Sequence, residues 1–176
     1  MKSRQIPWLA GLALIGFGVI TDVRGEDGIF TVYLARHAEK DLTVAEAPDP
    51  PLSRCGELRA QALADMLKDA RLERVYSTPY TRTLETALPA AELHQKEVET
   101  YDPRQLEVFA ELVLERKQDS LVIGHSNTTA VLAGLLADEQ GQAFGEAEYD
   151  RLYLVNRYGE QARLTLLHQK FSCSQQ

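Results

Sequence analysis

The pattern of apolar and polar residues divides the chain after residue 28 into alternating strands and helices. The first strand is predicted at 29–35, IFTVYLA, where β-branched and aromatic residues predominate. Further strands are predicted at 74–77, 97–101 and 120–124. Apolar residues at helical spacing predict helices after Ser53 and at 81–94, 105–117 and 127–137. The stretches RLYLVNRYG and ARLTLLHQKF predict a terminal hairpin around Tyr158-Gly159.

Two of these helices carry local signals. Ser53 is expected to be the N-cap of the first helix, with Glu57 favourable in its first turn. Its apolar stripe is predicted to consist of Leu58, Ala62, Leu63, Met66, Leu67 and Ala70. Pro89 is expected to kink or interrupt the helix at 81–94, because proline has no amide hydrogen to donate.

The alternation of strands and helices predicts an α/β fold. Its sheet should be mostly parallel and covered by helices on both faces, with the terminal hairpin as an antiparallel edge. Ligands of open α/β sheets bind at the carboxyl ends of the strands. Functional residues are therefore expected just after the predicted strands.

The first 25 residues differ from the rest of the chain. Lys2 and Arg4 precede fifteen uncharged residues, 6–20, a stretch shorter than a comfortable membrane span. We interpret 1–25 as a cleaved signal peptide, or alternatively as an N-terminal membrane anchor formed by 6–20. The remaining residues, 26–176, are expected to form one domain. The protein is thus expected to be exported, to the periplasm or the medium.

The charge balance limits the class of partner. The formal charge of the whole chain is −7, and it becomes −9 without Lys2, Arg4, Asp22 and Arg24. Such a surface repels nucleic acid and anionic lipid, so no nucleic-acid partner is expected.

The two cysteines, Cys55 and Cys173, leave two interpretations open. In an oxidising compartment they could form a disulfide, which would add about 4–5 kcal/mol of stability in the loop-entropy model. Alternatively, they are two unrelated thiols.

Two arginines and two histidines follow three of the predicted strands. Arg36 and His37 come directly after the first strand, Arg82 follows the second, and His125 follows SLVIG. Guanidinium groups bind phosphate oxygens with paired donors. An imidazole beside fixed positive charge should have a lowered pKa and keep a free lone pair. The four side chains therefore predict a site where a neutral histidine attacks phosphorus without a metal or cofactor.

The motifs around these residues resemble a known family. LARHAEK (34–40) is similar to the Arg-His-Gly/Ala-Glu motif of the histidine phosphatase superfamily, also called phosphoglycerate mutase-like. LSRCGELRA, STPYTRTLETA and VIGHSN follow in the order of that family, so the resemblance extends over about 29–155. The pattern is that of the small branch-1-type members, since Asn127 stands where the phytase-like branch has aspartate.

The resemblance implies a three-layer α/β/α sandwich, no cofactor, and roles for particular residues. It implies that His37 is the phosphorylated nucleophile and that Arg36, Arg82 and His125 bind the phosphoryl group. It also implies a carboxylic acid that protonates the leaving group. Asp102, after the predicted strand 97–101, is the first choice and Glu99 the alternative, although Asp102-Pro103 is equally a common turn start.

The sequence therefore predicts an exported histidine phosphatase that hydrolyses phosphomonoesters or dephosphorylates a protein. A phosphomutase is a weaker alternative, because no long insertion follows the helix of the second arginine. A catalytically inactive phosphate-binding module of the same fold is the main rival. A metallohydrolase is disfavoured, since no H-E-x-x-H motif or cysteine cluster is present.

Overall fold

The computed structural model describes residues 28–44 and 48–173, which form a mixed sheet flanked by helices. The strands are β1 (Ile29–Arg36), β2 (Arg74–Ser77), β3 (Val98–Thr100), β4 (Ser120–Gly124), β5 (Arg151–Tyr158) and β6 (Gln161–His168). The helices are α1 (Arg54–Met66), α2 (Thr81–Leu93), α3 (Leu106–Arg116) and α4 (Thr129–Ala137), with a short 3-10 helix at Leu42–Val44.

The sheet has the strand order β3-β2-β4-β1-β5-β6. The first four of these strands are parallel, and β5 pairs antiparallel with both β1 and β6. The predicted mostly parallel α/β sheet with an antiparallel edge is therefore confirmed. The carboxyl ends of β1, β2 and β4 lie next to one another at a single edge.

Two buried clusters, one on each face of the sheet, form the core. Val32, Leu34 and Val122 contribute to the cluster that includes residues of α3 and α4. Leu121 and Ile123 contribute to the cluster that includes residues of α1 and α2. Because successive strand residues point to opposite faces, this division confirms the three-layer arrangement.

The first helix begins as predicted, and its buried face overlaps the predicted apolar stripe in part. The Ser53 hydroxyl accepts a hydrogen bond from the Gly56 amide, as expected for an N-cap. Leu58 and Met66 of the predicted apolar stripe are exposed, whereas Ala60 and Ala64 are buried. Leu63 and Leu67 of the stripe are buried as predicted, so the prediction was wrong only in part.

Pro89 does not interrupt its helix. Helix α2 runs from Thr81 to Leu93 with Pro89 inside it, so the predicted interruption was wrong, and the alternative of a kink stays a prediction. The flanking alanines Ala87, Ala90 and Ala91 are buried. Their packing against the sheet holds the helix together across the missing hydrogen bond.

The two cysteines form a disulfide. Cys55, in the first turn of α1, is bonded to Cys173, and their Cα atoms are 5.8 Å apart. The bond ties the C-terminal segment to the helix that follows the β1 loop.

The predicted signal peptide or anchor, 1–25, lies outside the described residues. Within the described ranges, no helix is long and apolar enough to cross a membrane.

Candidate active site

Strand register brings the two histidines of the site together. Arg36, the last residue of β1, pairs with Gly124, the last residue of β4. His37 and His125 are the next residues, and the His37 amide donates to the Gly124 carbonyl at 3.0 Å. Their rings meet edge to face with centroids 5.5 Å apart. The sequence prediction that separate strand ends converge is correct.

His37 is held in one tautomer. Its Nδ1 lies 2.8 Å from the Ala38 carbonyl, which accepts only, so Nδ1 carries the hydrogen. Nε2 of the neutral ring therefore retains its lone pair. Burial lowers the pKa of His37 to about 3, and Arg36, Arg82 and His125 contribute to the same shift. A neutral histidine with an available nitrogen is the form required of a nucleophile.

His125 is also neutral at ordinary pH. Burial, with Arg82 and Arg36, lowers its pKa to about 4. Its Nε2 is hydrogen-bonded to the Thr78 hydroxyl at 3.0 Å, and that hydroxyl is bonded to Thr83. Thr78 follows β2, so the ends of β2 and β4 together orient this ring.

Each arginine of the site is bound to one carboxylate. Arg36 Nη2 donates to Glu146 Oε2 at 2.9 Å, and Arg82 Nη1 donates to Asp49 Oδ1 at 3.1 Å. The Nε atoms of both arginines are buried and have no partner among the described residues. Buried charged donors without partners are costly, and an oxyanion would satisfy them.

A cleft of about 320 Å³ lies over these groups. His37, His125 and Arg82 line it, together with Lys40, Tyr80, Pro103, Arg104, Ser126, Asn127, Thr128 and Glu146. Arg36 lies beneath, with a side chain that is 2% exposed, and its guanidinium rests 4.3 Å from the centre of the Tyr149 ring. The cleft thus combines neutral histidines with a local excess of positive charge in an acidic protein.

The comparison with protein families identifies this arrangement. A model of the histidine phosphatase superfamily (branch 1) matches residues 32–103, which contain Arg36, His37 and Arg82. The structure adds His125 to these residues at the expected place. Over residues 32–103 the chain is similar to the histidine phosphatase superfamily (branch 1).

Solved structures of phosphatases share the fold of this chain. The protein histidine phosphatase SixA complexed with tungstate is 19% identical, with a TM-score of 0.65, and the match covers 79% of this chain and 97% of that one. A mycobacterial glucosyl-3-phosphoglycerate phosphatase complexed with VO3 is 15% identical, with a TM-score of 0.65 and coverage of 80% and 99%.

A third similar structure is a variant of the phosphoserine phosphatase from Entamoeba histolytica in complex with phosphoserine. It is 12% identical, with a TM-score of 0.61 and coverage of 80% of this chain and 97% of that chain. At these identities the similarity shows the fold alone. No curated protein sequence matches significantly.

The two carboxylates proposed from the sequence as proton donors lie outside the cleft lining. Asp102 borders a neighbouring groove with Tyr80 and Arg104. Hydrogen bonds from Arg104 lower the pKa of Asp102 to about 2, so this carboxylate is ionised in the free protein. Glu99 lies on β3 between Arg74 and Arg116, to which it forms ion pairs.

Two acidic residues of the site were missed by the sequence analysis. Glu146 lies in the segment before β5, and Asp49 lies in the proline-rich loop before α1. Because β5 is antiparallel to β1, the segment that precedes β5 lies at the carboxyl edge of the parallel strands. The acidic stretch GEAEYD (145–150) precedes the predicted hairpin. It would have indicated an acidic residue at the site only if the strand order had been known.

No group of three or more metal-ligating side chains occurs among the residues that the structure describes. Glu39, in the LARHAEK motif, is turned toward α1, where both its oxygens accept hydrogen bonds from Arg59. This carboxylate therefore anchors the loop that carries His37.

Proposed function

We propose that the protein is an exported, metal-independent phosphatase that hydrolyses phosphomonoesters, or dephosphorylates a protein, through a phosphohistidine at His37. The observation that carries the proposal is the fixed tautomer of His37, which leaves a lone pair on Nε2. His37 lines the cleft, beside Arg36 and Arg82. Phosphate binding alone would not require such a nucleophile.

In the first step, the Nε2 lone pair of His37 attacks phosphorus in line with the leaving oxygen. The N–P bond forms as the P–O bond to the leaving group breaks. Arg36, Arg82 and His125 stabilise the charge on the non-bridging oxygens. In the second step, water attacks phosphorus, the N–P bond breaks, and the electron pair returns to Nε2 with release of phosphate.

The short connection between α2 and β3 favours a substrate that is not fully enclosed. Only residues 94–97 separate the two elements, so that connection supplies no roof over the cleft. An open cleft accommodates a phosphorylated small molecule or a side chain that projects from a protein. The names of the similar structures include both kinds of activity, a protein histidine phosphatase and a phosphoserine phosphatase.

Two observations support export. Lys2 and Arg4 precede the apolar stretch 6–20, as in a signal peptide or N-terminal anchor. In addition, Cys55 and Cys173 form a disulfide, a bond that persists in oxidising compartments such as the periplasm or the extracellular medium.

The function is tested with the wild-type protein and the His37→Ala variant on p-nitrophenyl phosphate in the presence of EDTA. We expect turnover by the wild type and a loss of about 10³-fold or more in the variant, because the covalent step requires the imidazole. Phosphate release measured over time gives the rates, and acid-labile, base-stable phosphorylation of the wild type would report the intermediate.

Absence of turnover in a folded wild-type protein that still binds vanadate would contradict the proposal. That result would identify a phosphate-binding module instead. Turnover that EDTA abolishes would contradict metal independence.

A further inference from the structure

In the free protein, the carboxylate of Glu146 binds a terminal nitrogen of Arg36. A phosphoryl group in the cleft would need this same donor. Glu146 Oε2 accepts a hydrogen bond from Arg36 Nη2 at 2.9 Å, and Glu146 Oε1 accepts one from the Ser126 hydroxyl. The Glu146 side chain is nevertheless 79% exposed, whereas that of Arg36 is 2% exposed. The carboxylate therefore lies between the buried guanidinium and the cleft.

The loop that carries Glu146 is fixed independently of its carboxylate. Arg36 Nη1 donates to the carbonyls of Gly145 (3.4 Å), Glu146 (2.6 Å) and Glu148 (3.2 Å). These bonds use the backbone of the loop and the other terminal nitrogen of Arg36. The carboxylate can thus leave Nη2 without releasing the loop.

A bound phosphoryl group would change the surroundings of this carboxylate. The phosphoryl oxygens would compete for Arg36 Nη2, because a doubly charged anion binds a guanidinium more strongly than a carboxylate does. Glu146 would then lose a donor and gain a negative neighbour. Both changes disfavour the charged form of a carboxyl group.

We infer that Glu146 is the residue that protonates the leaving oxygen, and that it takes up its proton when the phosphoryl group displaces it from Arg36. The inference rests on the proposed function. Among the described residues that line the cleft, Glu146 supplies the single carboxylate. It also lies beside the arginine that would bind the reacting phosphoryl group.

The charges that face Glu146 agree with this sequence of events. The Ser126 hydroxyl lowers the pKa of Glu146 in the free protein, and Arg36 and Lys40 contribute to the same shift. His125 is neutral at ordinary pH and so adds no charge. The free carboxylate is therefore ionised, and it becomes protonated only once the anion has taken Arg36.

The proton follows a balanced path. As Nε2 of His37 bonds to phosphorus and the P–O bond breaks, the Glu146 carboxyl gives its proton to the leaving oxygen and the alcohol departs. The resulting carboxylate then accepts a proton from the water that attacks the phosphohistidine. Phosphate leaves, Glu146 releases this proton to solvent, and its carboxylate binds Arg36 again.

The test compares two substrates that differ in their need for a proton. Nitrophenolate leaves as a stable anion, whereas the alkoxide from O-phosphoserine must be protonated. For Glu146→Gln we expect kcat/KM to fall by about 10²-fold with O-phosphoserine and by less than about threefold with p-nitrophenyl phosphate. Glutamine retains the shape and a hydrogen bond to Ser126 but carries no acidic proton.

Glu148→Gln is the matched control on the same loop. Its carboxylate accepts hydrogen bonds from the Gly145 amide and from Arg151, and it does not line the cleft. Any effect of this variant should therefore be the same for both substrates. Asp102→Asn tests the carboxylate favoured by the sequence and should likewise not distinguish the two substrates.

The outcomes separate this inference from the proposed function. An equal loss with both substrates in Glu146→Gln would overturn the inference and show a structural role. A substrate-dependent loss in Asp102→Asn alone would overturn it in favour of Asp102. In either case, wild-type turnover that depends on His37 would leave the proposed function intact. If the wild type itself turns over neither substrate, the proposed function fails first.

Discussion

At the scale of single residues, the site keeps two imidazoles uncharged at neutral pH. His37 and His125 are both adjacent to arginines, and each has a pKa well below that of a free histidine. His37, the proposed nucleophile, is thus neutral above about pH 3. The same shifts make the folded state sensitive to acid, since the unfolded chain binds protons that the folded chain excludes.

We expect His37 to make stability fall as the pH decreases. An unfolded histidine titrates near pH 6.5, whereas folded His37 titrates at about 3, so unfolding takes up a proton between these values. The contribution is fully present above about pH 6.5 and is lost progressively below it. Between pH 7 and pH 4, the free energy of unfolding of the wild type should therefore fall by about 3 kcal/mol more than that of the His37→Asn variant.

Urea unfolding of the wild type and the variant at several pH values measures this difference. Asparagine retains a donor for the Ala38 carbonyl but does not titrate. Parallel stability curves for the two proteins would show that His37 is not held neutral in the folded state.

At the scale of elements, helix α1 positions the loop that carries His37. Arg59 of α1 binds both oxygens of Glu39, with its Nη2 2.6 Å from Oε1. The helix also approaches the loop backbone closely at Gly56. A Cβ atom added there would lie 2.3 Å from the Glu39 carbonyl oxygen. The close packing of α1 against Glu39, two positions after His37, therefore depends on this glycine.

Gly56→Ala should therefore destabilise the protein by about 1–3 kcal/mol, because the methyl group would push α1 away from the loop. Alanine has the higher helix propensity, so a helix without this contact would instead be stabilised. Urea unfolding measures the change. Gln61→Ala, at an exposed position of the same helix, is the control and should be neutral or stabilising. A stabilised Gly56→Ala variant would show that the contact is not close.

At the scale of the whole molecule, the disulfide connects two distant parts of the chain. Cys55 and Cys173 are separated by 118 positions, and the C-terminal segment they hold packs on α1. Phe171 lies there with its ring centre 4.7 Å from the Arg59 guanidinium. The bond thus restrains both the unfolded chain and the segment that covers the Arg59–Glu39 pair.

Reduction of this bond should lower the free energy of unfolding by about 4–5 kcal/mol in the loop-entropy model. Urea unfolding with and without a reductant measures the effect on the wild-type protein. The double variant Cys55→Ser/Cys173→Ser should match the reduced protein and show no further response to reductant. A wild-type protein whose stability does not change on reduction would contradict the disulfide.

Much of the secondary structure follows from local patterns. The strands at 74–77 and 120–124 were predicted with the bounds that the structure shows, since short apolar runs between polar residues define them. The buried face of α1 was predicted only in part. Leu63 and Leu67 are buried as predicted, but Leu58 and Met66 are exposed, because they fit helical spacing as well as the alanines that are buried. Local spacing does not specify which side of a helix meets the sheet.

For the site, the sequence alone predicted the nucleophile and the groups expected to bind phosphate, because Arg36, His37, Arg82 and His125 lie in ordered motifs next to strand ends. Only the tertiary structure decided which carboxylates reach them. Glu146 is 109 positions from His37 in the chain, and it lies at the site because β5 runs antiparallel beside β1. Strand order depends on contacts between distant segments, and such contacts leave no periodic pattern in the chain.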